Sequence, residues 1–182
     1  RVEDAFQGAL IENSNFEENR QAGLFFAGET SVHAITGNTF ARNNGPGVTG
    51  LGAGARQVTL QRNTISANRG PGVEVAGGGE AGIVIRDNVI EDNGHGTREG
   101  QPGIVLKPGE AGLVGCEIVG NTIRNTHEKP KQRVGILEAE GEEKGVHVDN
   151  TVIRGNTISD HPDGGIVVTG ADSVAQENGG AR

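Results

Sequence analysis

Three of the five histidines, His95, His127 and His161, sit in polar segments crowded with charge. Imidazole exchanges a proton near neutral pH, so each is a candidate acid or base. Around them stand Arg98 and Glu99, then Glu128, Lys129, Lys131 and Arg133, then Asp160 and Asp163. Lysine and arginine at that density neutralise carboxylate or sulfate groups, arginine through two parallel hydrogen bonds. Such a set supports proton transfer on an anionic substrate, with His127 and His161 as acid/base and Asp160 orienting them. His95, Arg98, Lys107, Lys129, Lys131, Arg133 and Asp163 would hold the substrate. No triplet here has the spacing of a metal motif, so no cofactor is expected. Calcium on Asp160 and Asp163, or on the acidic run Glu138-Ala-Glu-Gly-Glu-Glu143, is the one cation these carboxylates suggest.

The elements that must position these residues are announced by a repeat. Ile35-Thr-Gly-Asn38-Thr-Phe40, Leu60-Gln-Arg-Asn63-Thr-Ile65, Ile85-Arg-Asp-Asn88-Val-Ile90, Ile118-Val-Gly-Asn121-Thr-Ile123 and Ile153-Arg-Gly-Asn156-Thr-Ile158 are copies of one pattern. A weaker first copy is Ile11-Glu-Asn-Ser14-Asn-Phe16. A Gly-apolar pair follows each: Gly23-Leu24, Gly47-Val48, Gly72-Val73, Gly103-Ile104, Gly135-Ile136 and Gly165-Ile166. From leading Ile or Leu to that Gly is 12 residues in copies one, two, three and six, but 18 in copy four and 17 in copy five. The plain repeat is 24 to 25 residues long.

Alternating apolar residues around a bend are two short strands, and the Gly-apolar run is a third. Coils of three strands, stacked about 4.8 Å apart, form a parallel β-helix with three sheets. The recurring Asn allows a ladder of side-chain amides, as in other stacked β assemblies. A second Asn series, Asn19, Asn43, Asn68 and Asn93, lapses to Thr126 and His161. The Gly before the third strand fits positive φ or close backbone approach. Coils are expected at about 9–32, 33–57, 58–82, 83–115, 116–150 and 151–170 of a single domain, 1–182. Residues 171–182 would be a tail or the start of another coil. Arg1–Gln7 enters mid-coil, so the chain reads as a piece of a longer rod.

Composition agrees. Gly supplies 32 residues and Phe 5, while Trp, Tyr and Met are absent, so the core is built of small side chains in layers. A net charge of −8 argues against nucleic acid as partner. No apolar run is long enough for a membrane span. Cys116 and His33 fall in an inward series with Ala9, Val58, Ile83 and Thr151, which makes Cys116 a small buried hydrophobe. The acidic run from Glu138 is expected in a solvated loop.

The Asn-Thr-Ile and Gly-Val/Ile rhythm, over roughly Ala9 to Thr169, resembles the right-handed parallel β-helix repeat of the pectin-lyase-like superfamily. That group includes pectate lyases, polygalacturonases, alginate lyases, epimerases and phage tailspikes. The resemblance implies an all-β solenoid, an acidic polysaccharide as partner, and secretion or display at the cell surface. It also implies a site on the third-strand face and its flanking loops, here in coils four to six. Lyase, epimerase or hydrolase activity follows from it, and the competing expectation is a non-catalytic glycan- or protein-binding module. Gly94-His95-Gly96 is similar to a polygalacturonase motif but lacks the accompanying aspartates. Asp160-His-Pro-Asp163 is similar to the Asp-Pro-His-Glu of mannuronan epimerases, in a different order and without that family's tyrosine. Outward third-strand positions read Phe25, Thr49, Glu74, Val105, Leu137 and Val167. Val105, Leu137 and Val167 would make an exposed apolar stripe, covered by loops, an oligomer partner or a flanking domain.

Overall fold

In a computed structural model, the chain is described at residues 8–27, 30–96, 98–143 and 145–180, with the backbone alone at 30–33. Arg1–Gln7 and the side chain of His33 therefore lie outside the described residues.

Three ladders of parallel strands run up the molecule. The first ladder stacks Leu10–Glu12, Thr30–Thr36, Ala55–Gln61, Val84–Arg86, Glu117–Val119, Val152–Arg154 and Val174–Gln176. The second stacks Asn15–Glu17, Thr39–Ala41, Thr64–Ser66, Val89–Glu91, Thr122–Arg124 and Thr157–Ser159. The third stacks Leu24–Phe25, Val48–Gly52, Val73–Glu80, Ile104–Val114, Val134–Glu138 and Gly164–Val167. Register is the one the repeat dictates, with Ile35, Leu60, Ile85, Ile118 and Ile153 side by side. These residues are fully buried, as are Ile65, Ile90 and Ile123 of the second ladder. Burying each contributes roughly 1.5–3 kcal/mol relative to an exposed side chain.

The ladders form two sheets rather than the expected three. The third and first ladders join, because the corner between them stays extended and paired, as at Leu51 with Ala55. Positive φ at Gly77, Gly79 and Gly112 turns that corner, and a register shift between Pro108 and Leu113 absorbs the bend.

Each bend of the first ladder into the second is one left-handed residue followed by the ladder residue, an Asn in every copy but the first, where it is Ser14. The left-handed residues are Asn13, Gly37, Arg62, Asp87, Gly120, Gly155 and Glu177. Asn63 illustrates the rung: its Nδ2 donates to Ile35 O of the coil below and to Asn88 Oδ1 of the coil above, both at 2.9 Å. Asn88, Asn121 and Asn156 repeat this. Asn178 Oδ1 takes the last pair of bonds, from Asn156 N and Nδ2. The tail adds one more strand to the first ladder, with Ala175 level with Ile153. At the other end Ser14 joins through its backbone only.

Cys116 is buried as expected, and the apolar surroundings, with Glu138 adding to them, push its thiol up to about 12. Glu138 departs from the expected solvated loop. It is fully buried, in register with inward Leu106, and Oε2 accepts from the backbone of Thr169 and Gly170 at 2.9 and 3.0 Å.

Candidate functional site

Both inserted segments leave the second ladder at its bend toward the third strand. There the second Asn series runs from Asn19 through Asn43 and Asn68 to Asn93. Beyond Asn93 the sequence supplies no Asn, yet the ladder continues. Gln132, at the far end of the coil-five insertion, places Oε1 at 3.0 Å from Asn93 Nδ2 and 3.2 Å from Asn93 N. Its Nε2 faces His161 Nε2 at 3.0 Å. Gln132 is buried, and Asn125 pins its backbone, donating to Gln132 O at 2.9 Å.

His161 therefore occupies the last described position of the second ladder, at the bend, and not the open edge. With Gln132 donating, its Nε2 accepts and the ring is neutral. Burial lowers its pKa from 6.5 to about 4, while Asp160 pulls weakly the other way. Asp160 is exposed, and its carbonyl accepts from Asn125 Nδ2 at 2.8 Å.

His95 and His127 are brought together. Their rings meet edge to face with centroids 6.2 Å apart, so the two insertions touch through their histidines. Beside His127 lies a residue that no sequence signal marked, Asp92. It is buried, takes the left-handed conformation at the bend, and precedes the ladder residue Asn93. Its carboxylate accepts from Thr126 N at 2.7 Å and Thr126 Oγ1 at 2.5 Å, which fixes it. His127 Nε2 stands 3.7 Å from Asp92 Oδ2, with 62% of the imidazole side chain exposed. That distance is an electrostatic contact rather than a hydrogen bond. A fixed anion under an open imidazole holds the ring's orientation.

The cationic residues divide. Lys131 Nζ donates to Arg98 O at 3.4 Å, tying the two insertions together. Lys129 and Arg98 are exposed. Arg133 is held by Asp163 through Nε and Nη2, with Nε to Oδ2 at 2.6 Å, and this pairing raises its pKa further. Lys107 lies on the third-strand face, 2.5 Å from Glu74 Oε1, and Glu74 Oε2 in turn accepts from Thr49 Oγ1 at 2.9 Å. The apolar stripe is not open: Val105 is 2% exposed, and Leu137 and Val167 are half-buried.

A cleft of about 540 Å³ opens beyond the other end of the third strand. Lys107 and Glu110 line one wall and Glu140, Glu142 and Glu143 the other. Among the described residues, no three His, Cys, Asp or Glu side chains group as a metal ion requires. No described helix is long and apolar enough to cross a membrane.

Residues 4–150 match the family described as a right handed beta helix region. The chain belongs to the right-handed β-helix family. No curated protein sequence matches this β-helix. Among solved structures it is similar to the Azotobacter vinelandii mannuronan C-5 epimerase AlgE6 A-module, at 17% identity and a TM-score of 0.67. That likeness covers 99% of this chain and 60% of the other. The AlgE4 A-module of the same organism is similar at 18% identity and a TM-score of 0.64, covering 96% of this chain and 59% of that one. At such identity the likeness is one of fold, and this β-helix spans about three fifths of the length of either A-module.

Proposed function

We propose that this β-helix processes an extracellular acidic polysaccharide of the polyuronate class, with proton transfer at His127. The observation that carries the reading is His127 standing over the fixed carboxylate of Asp92 with His95 against its ring, where the insertions of coils four and five meet.

In a uronate the C5 proton lies next to the carboxylate and becomes acidic only when that carboxylate's charge is neutralised. Lys129, Lys131 and the exposed Arg98 stand on the same edge as His127. Neutral His127 takes the C5 proton, and Asp92 stabilises the imidazolium that results. The electron pair left on C5 then has two fates. Reprotonation from the opposite face, with a solvent water as donor, gives the C5 epimer. Expulsion of the O4 substituent gives an unsaturated sugar and a cut chain. The acidic cleft lined by Glu110, Glu140, Glu142 and Glu143 repels a polyanion, which favours the histidine edge as the binding side. The structural neighbours are named as mannuronan C-5 epimerase modules, in keeping with a polyuronate.

A second reading, a non-catalytic glycan-binding module, is favoured by one observation. His161, the other histidine expected to be catalytic, is held at the end of an amide ladder. Incubation with a panel of polyuronates separates the two. Turnover is expected on at least one polymer, lowered roughly 10²–10⁴-fold by His127→Ala. Binding without turnover on every polymer selects the module.

A further inference from the structure

A residue series at the second bend has no part in that proton transfer. Directly after ladder residues Asn19, Asn43, Asn68 and Asn93 stand Arg20, Asn44, Arg69 and Gly94. The coil-four insertion folds down over them: Gly94 N donates to Asn68 O at 2.8 Å and Gly96 N to Arg69 O at 2.7 Å. Between that insertion and coils two and three lies a cleft of about 350 Å³, lined by Asn44, Gly45, Arg69, Gly70, Gly96 and Gln101.

The lining has one charged group and no carboxylate. Arg69 Nη1 donates to Asn44 Oδ1 at 2.8 Å, which orients the guanidinium. No other described side chain bonds it, so most of its five donors face the cleft or solvent. The floor is bare backbone. A Cβ on Gly96 would stand 2.6 Å from Arg69 O, and one on Gly70 2.6 Å from Pro46 N, so neighbouring coils exclude side chains there. A floor without side chains lets a flat sugar ring approach the peptide planes, and a planar guanidinium at its edge matches a carboxylate. Arg69 belongs to coil three and His127 to coil five. Two coil rises separate them, roughly 10 Å along the rod, a span that a short run of sugars bridges.

We infer that the Arg69 cleft is a carboxylate-recognising subsite, which binds a uronate residue a short run of sugars away from the one that reacts at His127. The polymer then lies along the rod axis across coils three to five. This inference rests on the polyuronate reading above, and the test is chosen to separate them.

Affinity for a labelled oligomannuronate and for its carboxyl-reduced neutral counterpart is measured with wild type, Arg69→Ala and Arg69→Lys. Arg69→Ala is expected to bind the charged oligomer roughly tenfold more weakly, with its thermal unfolding and its affinity for the neutral oligomer unchanged. Arg69→Lys keeps the charge without the planar fork and is expected to recover part of the loss. Wild-type affinity in Arg69→Ala overturns the subsite and leaves the polyuronate reading standing. Failure of the wild type to bind the charged oligomer overturns both.

Discussion

At the scale of single residues, the two histidines first paired as acid and base have different jobs. His127 is open and lies over a fixed carboxylate, whereas His161 is held neutral at the end of the second amide ladder. The consequence is a pH dependence of stability with a definite sign. The folded pKa of about 4 lies below the ordinary 6.5, so protons bind the unfolded chain more readily. Stability from this group is complete above pH 6.5 and is lost as pH falls through 6.5 toward 4. Urea unfolding of the wild type across that window should show the loss, and His161→Gln, which keeps an amide at that position, should remove this component. An unchanged profile in the variant contradicts the assignment. The ladder position of His161 follows from spacing, three residues after Ile158, but that of Gln132 could not be read from it. Gln132 lies 39 residues from Asn93, against 24 or 25 between earlier rungs. An insertion loosens the link between sequence distance and height in the stack. Asp92 was hidden for another reason, since an acid at a left-handed bend position looks like any surface turn residue.

Elements here are short, and their geometry is set by close approach and by strained bends. The Gly before each third strand does not take positive φ; it is there for contact. A Cβ on Gly72 would stand 2.7 Å from Gly103 O and 2.8 Å from Ile90 Cγ2. Gly72→Ala should therefore lower stability by about 1–3 kcal/mol, measured by chemical denaturation. The left-handed bends make the opposite prediction. Ala67 has φ of 53°, a conformation that costs an L-residue roughly 1–2 kcal/mol. Ala67→Gly should raise stability by up to about 1 kcal/mol, after the added entropy of the unfolded chain is deducted. The strands were legible because Ile-x-x-Asn-x-Ile carries both the alternation and the bend. The joined corner was not, since Gly77 and Gly79 of the Gly77-Gly78-Gly79 run read equally as a loop or as extended chain at positive φ. Glu138 was hidden inside an acidic run, although counting two residues on from inward Ile136 already points it into the core.

As a whole molecule the chain is a rod whose stability accumulates coil by coil, since each coil pairs only with its neighbours. Polar amide ladders hold its two bends, and small apolar residues fill the interior. Insertions do not disturb the stack, because a loop can leave and return at the same height. The second ladder shows this directly, with Gln132 returning to the position that an asparagine fills elsewhere. That tolerance is what lets coils four and five carry the histidine edge on an otherwise plain scaffold. Of the expected site, the edge and the segments were legible from the lengthened spacings, but the pairing within it was not. His95 with His127, Arg133 with Asp163 and Lys107 with Glu74 are choices made by side-chain reach, not by repeat length.

The central claim is that His127 moves a proton at C5 of a polyuronate, and hydrogen exchange reads that step whichever product follows. Mannuronan and the other polymers of the panel are incubated with the protein in D₂O, and deuterium at C5 is followed by NMR. Deuterium is expected to enter at C5, as the inverted sugar or as solvent-labelled starting unit, or the unsaturated product is expected to accumulate in its place. His127→Ala should slow either outcome at least roughly a hundredfold. Exchange or elimination at the wild-type rate in His127→Ala, or neither with any polymer, would contradict the account.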